Sequence, residues 1–176
     1  MKRVKHFLVV AAVLGLATGA GFAQDANWTG LGTTSDWTDT GNWSTGSVPG
    51  TGDTATFNVD TFVELVNYDP DLGAADANIG ALEFVGDGSG HEITGATAVL
   101  TIATSLLHNT TLTDAQNWIL VDLAGSGIDA NVQSGILTLG GNNVGIDGSS
   151  LFTVHGDGVL ELTSLTGAGS AEIDLA

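Results

Sequence analysis

The sequence predicts an all-β chain folded as a right-handed parallel β-helix, a solenoid of stacked coils with an N-terminal tryptophan-rich cap. Three observations predict it. A short strand-like motif recurs at a near-constant interval. Glycine punctuates the chain, with 26 in 176 residues. Beyond the first two dozen residues, no long stretch keeps apolar side chains at helical spacing.

The motif sets two apolar residues around a Glu or Thr. It reads Phe62-Val63-Glu64-Leu65, Gly80-Ala81-Leu82-Glu83-Phe84, Ala98-Val99-Leu100-Thr101-Ile102, Gly135-Ile136-Leu137-Thr138-Leu139 and Gly158-Val159-Leu160-Glu161-Leu162, with a weaker copy at Trp118-Ile119-Leu120-Val121. Aligned on the first core position, the copies fall at 63, 82, 100, 119, 137 and 160, at intervals of 19, 18, 19, 18 and 23. Period-two alternation marks a strand with one buried face. A fixed repeat of this size marks coils that bury their faces against one another. Val63, Leu82, Leu100, Ile119, Leu137 and Leu160 are therefore expected on a common interior wall. Glu64, Glu83, Thr101, Thr138 and Glu161 are expected to face water. A left-handed helix needs an aliphatic residue every six positions; from Leu82 that register meets Gly88 and Thr94 before Leu100. The alternative architecture is an antiparallel β-sandwich, which also alternates short strands with turns. The evenness of the repeat counts against it.

In chain order, residues 1–23 read as a secretory signal peptide. Lys2, Arg3 and Lys5 form a basic start, Phe7 to Leu16 an apolar middle and Gly21-Phe22-Ala23 a small-residue cleavage site. The apolar stretch is short for a membrane span, which needs about 20 residues. Residues 24–57 form the cap, with Trp28, Trp37 and Trp43 set to cover the first coil, because solenoids need closed ends. A sugar-stacking surface is the functional reading of the same tryptophans. Residues 58–176 hold the solenoid. Asp69-Pro70-Asp71, Gly86-Asp87-Gly88-Ser89-Gly90 and Gly125-Ser126-Gly127 are its corners. His91 to Thr94 and Ile128 to Val132 are second strands within coils. Gly140 to Ser150, coinciding with the long interval, reads as an insertion at a corner. Leu151 to Val154, Val159 to Leu162 and Glu172 to Leu175 are the last strands.

The series Trp28, Trp37, Asn42-Trp43-Ser44, Val48-Pro49-Gly50 and Gly52-Asp53-Thr54-Ala55-Thr56-Phe57, followed by Leu-Glu-Phe and Gly-Ile-Leu-Thr-Leu units, resembles the opening of bacterial autotransporter-associated beta-strand repeat proteins. The resemblance covers most of residues 24–176. It implies an exported protein, extracellular or at the outer cell surface, with a parallel β-helix passenger region and no shared catalytic residues. No C-terminal barrel, sorting tail or anchor is expected within residues 24–176, and the expectation is a fragment or a freely secreted product.

Charge and chemistry narrow the function. All three basic residues lie in the signal and all 20 acidic ones outside it, so residues 24–176 carry a formal charge of −20 against −17 for the whole chain. Such a surface repels nucleic acid and anionic lipid. It leaves extracellular polysaccharide or a cell-surface matrix as partners, with self-association through the C-terminal end and no stable membrane insertion once the signal is removed. The chain has no cysteine, hence no disulfide and no thiol chemistry. Polysaccharide lyases of this shape need a basic residue, which is missing. Glycoside hydrolysis needs two carboxylates about 5–10 Å apart, and Glu64 and Glu83 are the pair that stacking would bring together. Glu161 is their outward equivalent, and a solvated ladder is the plainer reading of all three. Asp87-Gly88, Asp147-Gly148 and Asp157-Gly158 have calcium-ligating chemistry but are common turn pairs. His91, His108 and His155 stand singly, without zinc spacing, and are expected at the surface. The expectation is therefore a secreted or surface, structural or adhesin-like solenoid. It would be no enzyme and would have no catalytic, metal or cofactor site, with an extracellular carbohydrate-binding or carbohydrate-active module as the alternative.

Overall fold

The computed structural model describes residues 23–58, 68–111, 115–141, 144–147, 150–162 and 172–175; for 144–147 and 172–175 it describes the backbone. The proposed signal peptide and the strand expected at Phe62 to Leu65 lie outside the described residues, apart from Ala23. In chain order the strands are β1 (Asp25–Asn27), β2 (Thr54–Phe57), β3 (Ala77–Gly86), β4 (Glu92–Ile93), β5 (Val99–Thr110), β6 (Gln116–Ile119) and β7 (Asp122–Ser126). They continue with β8 (Asp129–Val132), β9 (Ile136–Leu139), β10 (Val144–Asp147), β11 (Leu151–Val154), β12 (Val159–Leu162) and β13 (Glu172–Leu175). Among the described residues every strand pairing is parallel, and the coils stack into a β-solenoid of about 4 turns. The antiparallel sandwich is thereby excluded; the one antiparallel contact among the described residues is an isolated bridge between Trp28 and Trp43.

The coil has three walls. The first stacks the front half of β3 on that of β5, then β7 and β10. The second is the longest ladder, β1-β2-β3-β5-β8-β11-β13, formed in its middle by the rear halves of β3 and β5. The third is β4-β6-β9-β12. β3 and β5 turn from one wall to the next without breaking, through a register shift between Ile79 and Ala81. Gly80 makes that corner possible. A Cβ there would lie 2.9 Å from the Asp53 carbonyl, to which the Gly80 amide donates at 2.9 Å, so a side chain would push the corner off the coil beneath it.

Alternation within each strand builds the core as columns of side chains. On the second wall Ala26, Ala55, Leu82, Leu106, Ala130 and Phe152 lie directly opposite one another from rung to rung, all buried. Phe57, Phe84, His108 and Val132 form the adjacent inward column. Leu100 stacks between Ala77 and Leu123 on the first wall, and Ile119 between Ile93 and Leu139 on the third. On the second wall the outward line Thr56, Glu83, Leu107, Asn131 and Thr153 is polar apart from Leu107.

The register corrects the expected repeat. Leu82 lies opposite Leu106, 24 residues on; Leu100 opposite Leu123, 23 on; and Leu137 opposite Leu160, 23 on. The interval of 18–19 is not a coil. Leu82 sits on the second wall, Leu100 on the first, and Ile119, Leu137 and Leu160 on the third, so Leu82, Leu100 and Leu137 do not share one wall. The interval of 23, where an insertion is expected, is the one that spans a coil in register, and Gly140 to Ser150 contains a regular strand, β10. The physical reason is that the same apolar-polar-apolar triplet serves every wall. The spacing of similar triplets then measures the step from wall to wall as readily as the step from coil to coil.

The tryptophan-rich segment joins the same ladder. β1 and β2 are its first two rungs, and β2 pairs with β3 without interruption, so the parallel sheet runs through the boundary expected at residue 57. The loop between β1 and β2 closes the end of the column. Its one regular turn, a 3₁₀ helix at Thr40–Asn42, is capped by Asp39, whose Oδ1 accepts from the Gly41 amide at 3.0 Å and whose Oδ2 accepts from the Thr33 amide at 2.8 Å. These bonds, led by that from Gly41, hold the Asp39 carboxyl below its ordinary range.

Candidate functional site

The tryptophans of the cap face inward. Trp28, Trp37 and Trp43 are 0 %, 2 % and 3 % exposed and pack around Phe57, with ring centroids 4.8 Å apart for Trp37–Trp43 and 5.1 Å for Trp28–Trp43. Phe57 stacks in turn on Phe84 at 5.3 Å, which joins the cluster to the core column. The indole N–H of Trp28 donates to the Tyr68 carbonyl (3.1 Å) and that of Trp43 to the Trp37 carbonyl (2.8 Å). These rings close the end of the solenoid and offer no face to a sugar, so the sugar-stacking reading of Trp28 and Trp43 is set aside.

The carboxylates do not pair. Glu83 faces out of the second wall between Thr56 and Leu107; burial, and then the charge of Asp25, push its carboxyl up. Glu161 lies opposite Thr138, whose hydroxyl donates to its Oε2 at 3.0 Å. Glu64 is outside the described residues. Among the described residues, then, no two of these glutamates occupy facing rungs, and no group of three His, Asp or Glu side chains is placed to hold a metal ion. Asp87 accepts a hydrogen bond from the Thr111 hydroxyl. Asp157-Gly158 forms a turn closed by the Gly158 amide on the His155 carbonyl at 2.8 Å. Asp147 ends β10, and Gly148 lies outside the described residues.

Two histidines expected at the surface are interior: His91 and His108 are both 0 % exposed, whereas His155 is half-buried. The correction follows from alternation. In β5, Leu106, His108 and Thr110 share the inward face, and His108 stacks in the column after Phe84. Its Nδ1–H donates to the Ser134 carbonyl (2.6 Å), and its Nε2 accepts from Asn117 Nδ2 (3.0 Å). Asn117, also fully buried, donates to the Gly88 carbonyl (3.1 Å) and accepts from the His91 amide at its Oδ1 (3.0 Å). One side chain thus ties together the second wall, the third wall and the corner at Gly88. His91 lies flat on Tyr68, with centroids 4.3 Å apart and planes 10° apart, and its Nδ1–H donates to the Tyr68 carbonyl at 3.3 Å. Its Nε2 is buried and, among the described residues, without a partner.

Burial lowers the pKa of His91 to about 4 and lowers that of His108, each against an opposing hydrogen bond to a carbonyl. Both rings are therefore neutral near pH 7. Gly135 is part of this arrangement. Its φ is +71°, and a Cβ there would come within 2.9 Å of His108 Cε1 and 3.0 Å of Thr110 Oγ1. The corner passes close over the histidine ring only because it is glycine.

On the outer face of the third wall, Glu92, Trp118, Thr138 and Glu161 stand in one line, rung upon rung, beside a second line of Gln116, Ile136 and Val159. Trp118 is half-buried there, Gln116 and Glu161 are exposed, and Val159 is 43 % exposed. Alternation in Gln116-Asn117-Trp118-Ile119 already separates Trp118 from the interior; what it stands beside comes from the register. Comparison with known protein families, curated proteins and solved structures finds no match for this chain.

Proposed function

We propose that this protein is an exported structural or adhesin-like β-solenoid of the autotransporter-associated repeat type, acting at the outer cell surface or outside the cell and without catalysis. The observation that carries the reading is the second wall. Seven strands in parallel register, with inward columns of Ala, Leu, Phe and Val, form a rod rather than a bowl around a cleft. At about 4.8 Å per rung that ladder is about 29 Å long, and its outer faces carry hydroxyls, amides and carboxylates without a lysine or arginine after Lys5. A rod of this kind acts by holding a repetitive face at a distance from its base.

Protease shaving of intact cells, with fractionation of the culture, tests the reading. The protein is expected on the cell surface or in the medium; confinement to the cytoplasm would overturn it.

The charge makes a second prediction. Acidic groups act on one another across the coils, as where the charge of Asp25 adds to burial in pushing the Glu83 carboxyl up, with no lysine or arginine to offset them. Raising salt from about 0.01 M to about 1 M shortens the screening length from about 30 Å to about 3 Å. The melting temperature is expected to rise by several degrees over that range; a flat response would show that repulsion between these acids does not limit stability.

A further inference from the structure

Of the four tryptophans, only Trp118 is not part of the buried end cluster. It stands on the outer face of the third wall, in register with Glu92 on one neighbouring rung and Thr138 on the other. Thr138 directs its hydroxyl onto Glu161 one rung further, which fixes that carboxylate on the same line. Ile136 and the exposed Val159 extend an apolar floor beside the indole, and exposed Gln116 adds an amide two residues before it on the same face.

We propose that this face is a binding strip for an extended, uncharged polysaccharide laid along the solenoid axis. The C–H face of a sugar ring stacks on Trp118, and ring hydroxyls donate to Glu92, Glu161 and the Gln116 carbonyl. Three features favour that partner. An indole flanked by acceptors matches a ring that is apolar on its face and rich in hydroxyl donors at its edge. Rungs repeat at about 4.8 Å, so the line from Glu92 to Glu161 covers about 14 Å and meets successive sugars of a chain rather than one. The chain has no Lys or Arg beyond residue 5 and a net charge of −17, which turns away uronic or sulfated glycans and nucleic acid. The inference deepens the surface-rod reading, naming what the rod would contact; glycan retention and surface exposure are separate measurements, so each can fail without the other.

The test uses the whole chain in pull-downs on insoluble cellulose and chitin, and in native gels containing xylan or galactomannan. Polygalacturonate and polylysine serve as charged controls. Retention is expected on at least one neutral glycan and should persist at about 1 M salt, where the screening length is about 3 Å. Trp118→Ala should weaken it by about tenfold or more, with an unchanged circular dichroism spectrum. Gln116→Ala, at an exposed position, should weaken it less. Three results would each overturn the proposal: no neutral glycan retained, equal retention by folded Trp118→Ala, or binding to polylysine alone that salt abolishes. The last would identify a basic peptide as the partner instead.

Discussion

Leu106→Asp leaves no folded protein. Leu106 is 1 % exposed, in the middle of the second wall, with Leu82 and Ala130 opposite it on the neighbouring rungs. The substitution removes a buried leucine, at a cost of about 3 kcal/mol for lost burial and the cavity left behind. It also places a carboxylate in an interior that holds no lysine or arginine, at several kcal/mol more even if the group takes up a proton. The sum approaches or exceeds the 5–15 kcal/mol that holds an ordinary domain. Because a solenoid's coils rely on their neighbours, a break here separates the coils below from those above. The expected measurement is a circular dichroism spectrum without its sheet signal. Asn109→Asp, three residues on at an exposed position of the same strand, should melt within a few degrees of wild type. A Leu106→Asp protein that melts cooperatively near the wild-type temperature would mean that this column is not the core.

His91→Phe makes the protein more tolerant of acid. The His91 pKa is held at about 4 in the fold, below the ordinary 6.5 that the unfolded chain regains. Below pH 6.5 the unfolded state therefore binds the proton more readily, and stability falls as pH falls. The loss accumulates from about pH 6.5 to about pH 4 and stops there, where both states are protonated. At 1.36 kcal/mol per pH unit it reaches roughly 3 kcal/mol. His108, also lowered, adds a loss in the same direction. Asp69 and Glu83 act oppositely, because burial raises their pKa and the fold gains as they protonate. The difference between wild type and variant isolates the histidine. Phenylalanine keeps the stack on Tyr68 and the tilted contact with Phe57 and gives up only the long bond to the Tyr68 carbonyl, which still accepts from Trp28. Urea midpoints should nearly coincide at pH 8 and separate progressively toward pH 4, with the variant the more stable. Parallel curves would show that His91 titrates normally in the fold.

Much of the architecture is legible in the sequence. Val132 and Ala130 alternate with Asn131 and Asp129, and Phe152 with Thr153, so the strands at Asp129–Val132, Leu151–Val154, Val159–Leu162 and Glu172–Leu175 stand where alternation puts them. Coil length is harder, because walls of similar composition look alike in one dimension and only pairing distinguishes them. β10 escapes notice for a related reason. Val144 and Ile146 are its only apolar residues, in a run of Gly, Asn and Ser that suggests a turn, and the strand forms because β7 offers it an edge. His108 follows two leucines, Leu106 and Leu107, and that doublet hides which of them is inward. Once Leu106 is placed, His108 and Thr110 follow it into the interior. The Asn117 links to Gly88, His91 and His108 join residues 9 to 29 positions apart and have no signature in local sequence.

The arrangement of the tryptophans has an optical consequence. Three indoles lie dry at one extremity of the rod and the fourth lies at the water boundary near its middle. Emission from the first group belongs at shorter wavelength and reports whether that extremity is closed. Emission from Trp118 belongs at longer wavelength and is open to aqueous quenchers. The native chain thus carries two spectrally distinct groups of indoles, by which fraying of its first coils can be distinguished from loss of the whole structure without attaching a label.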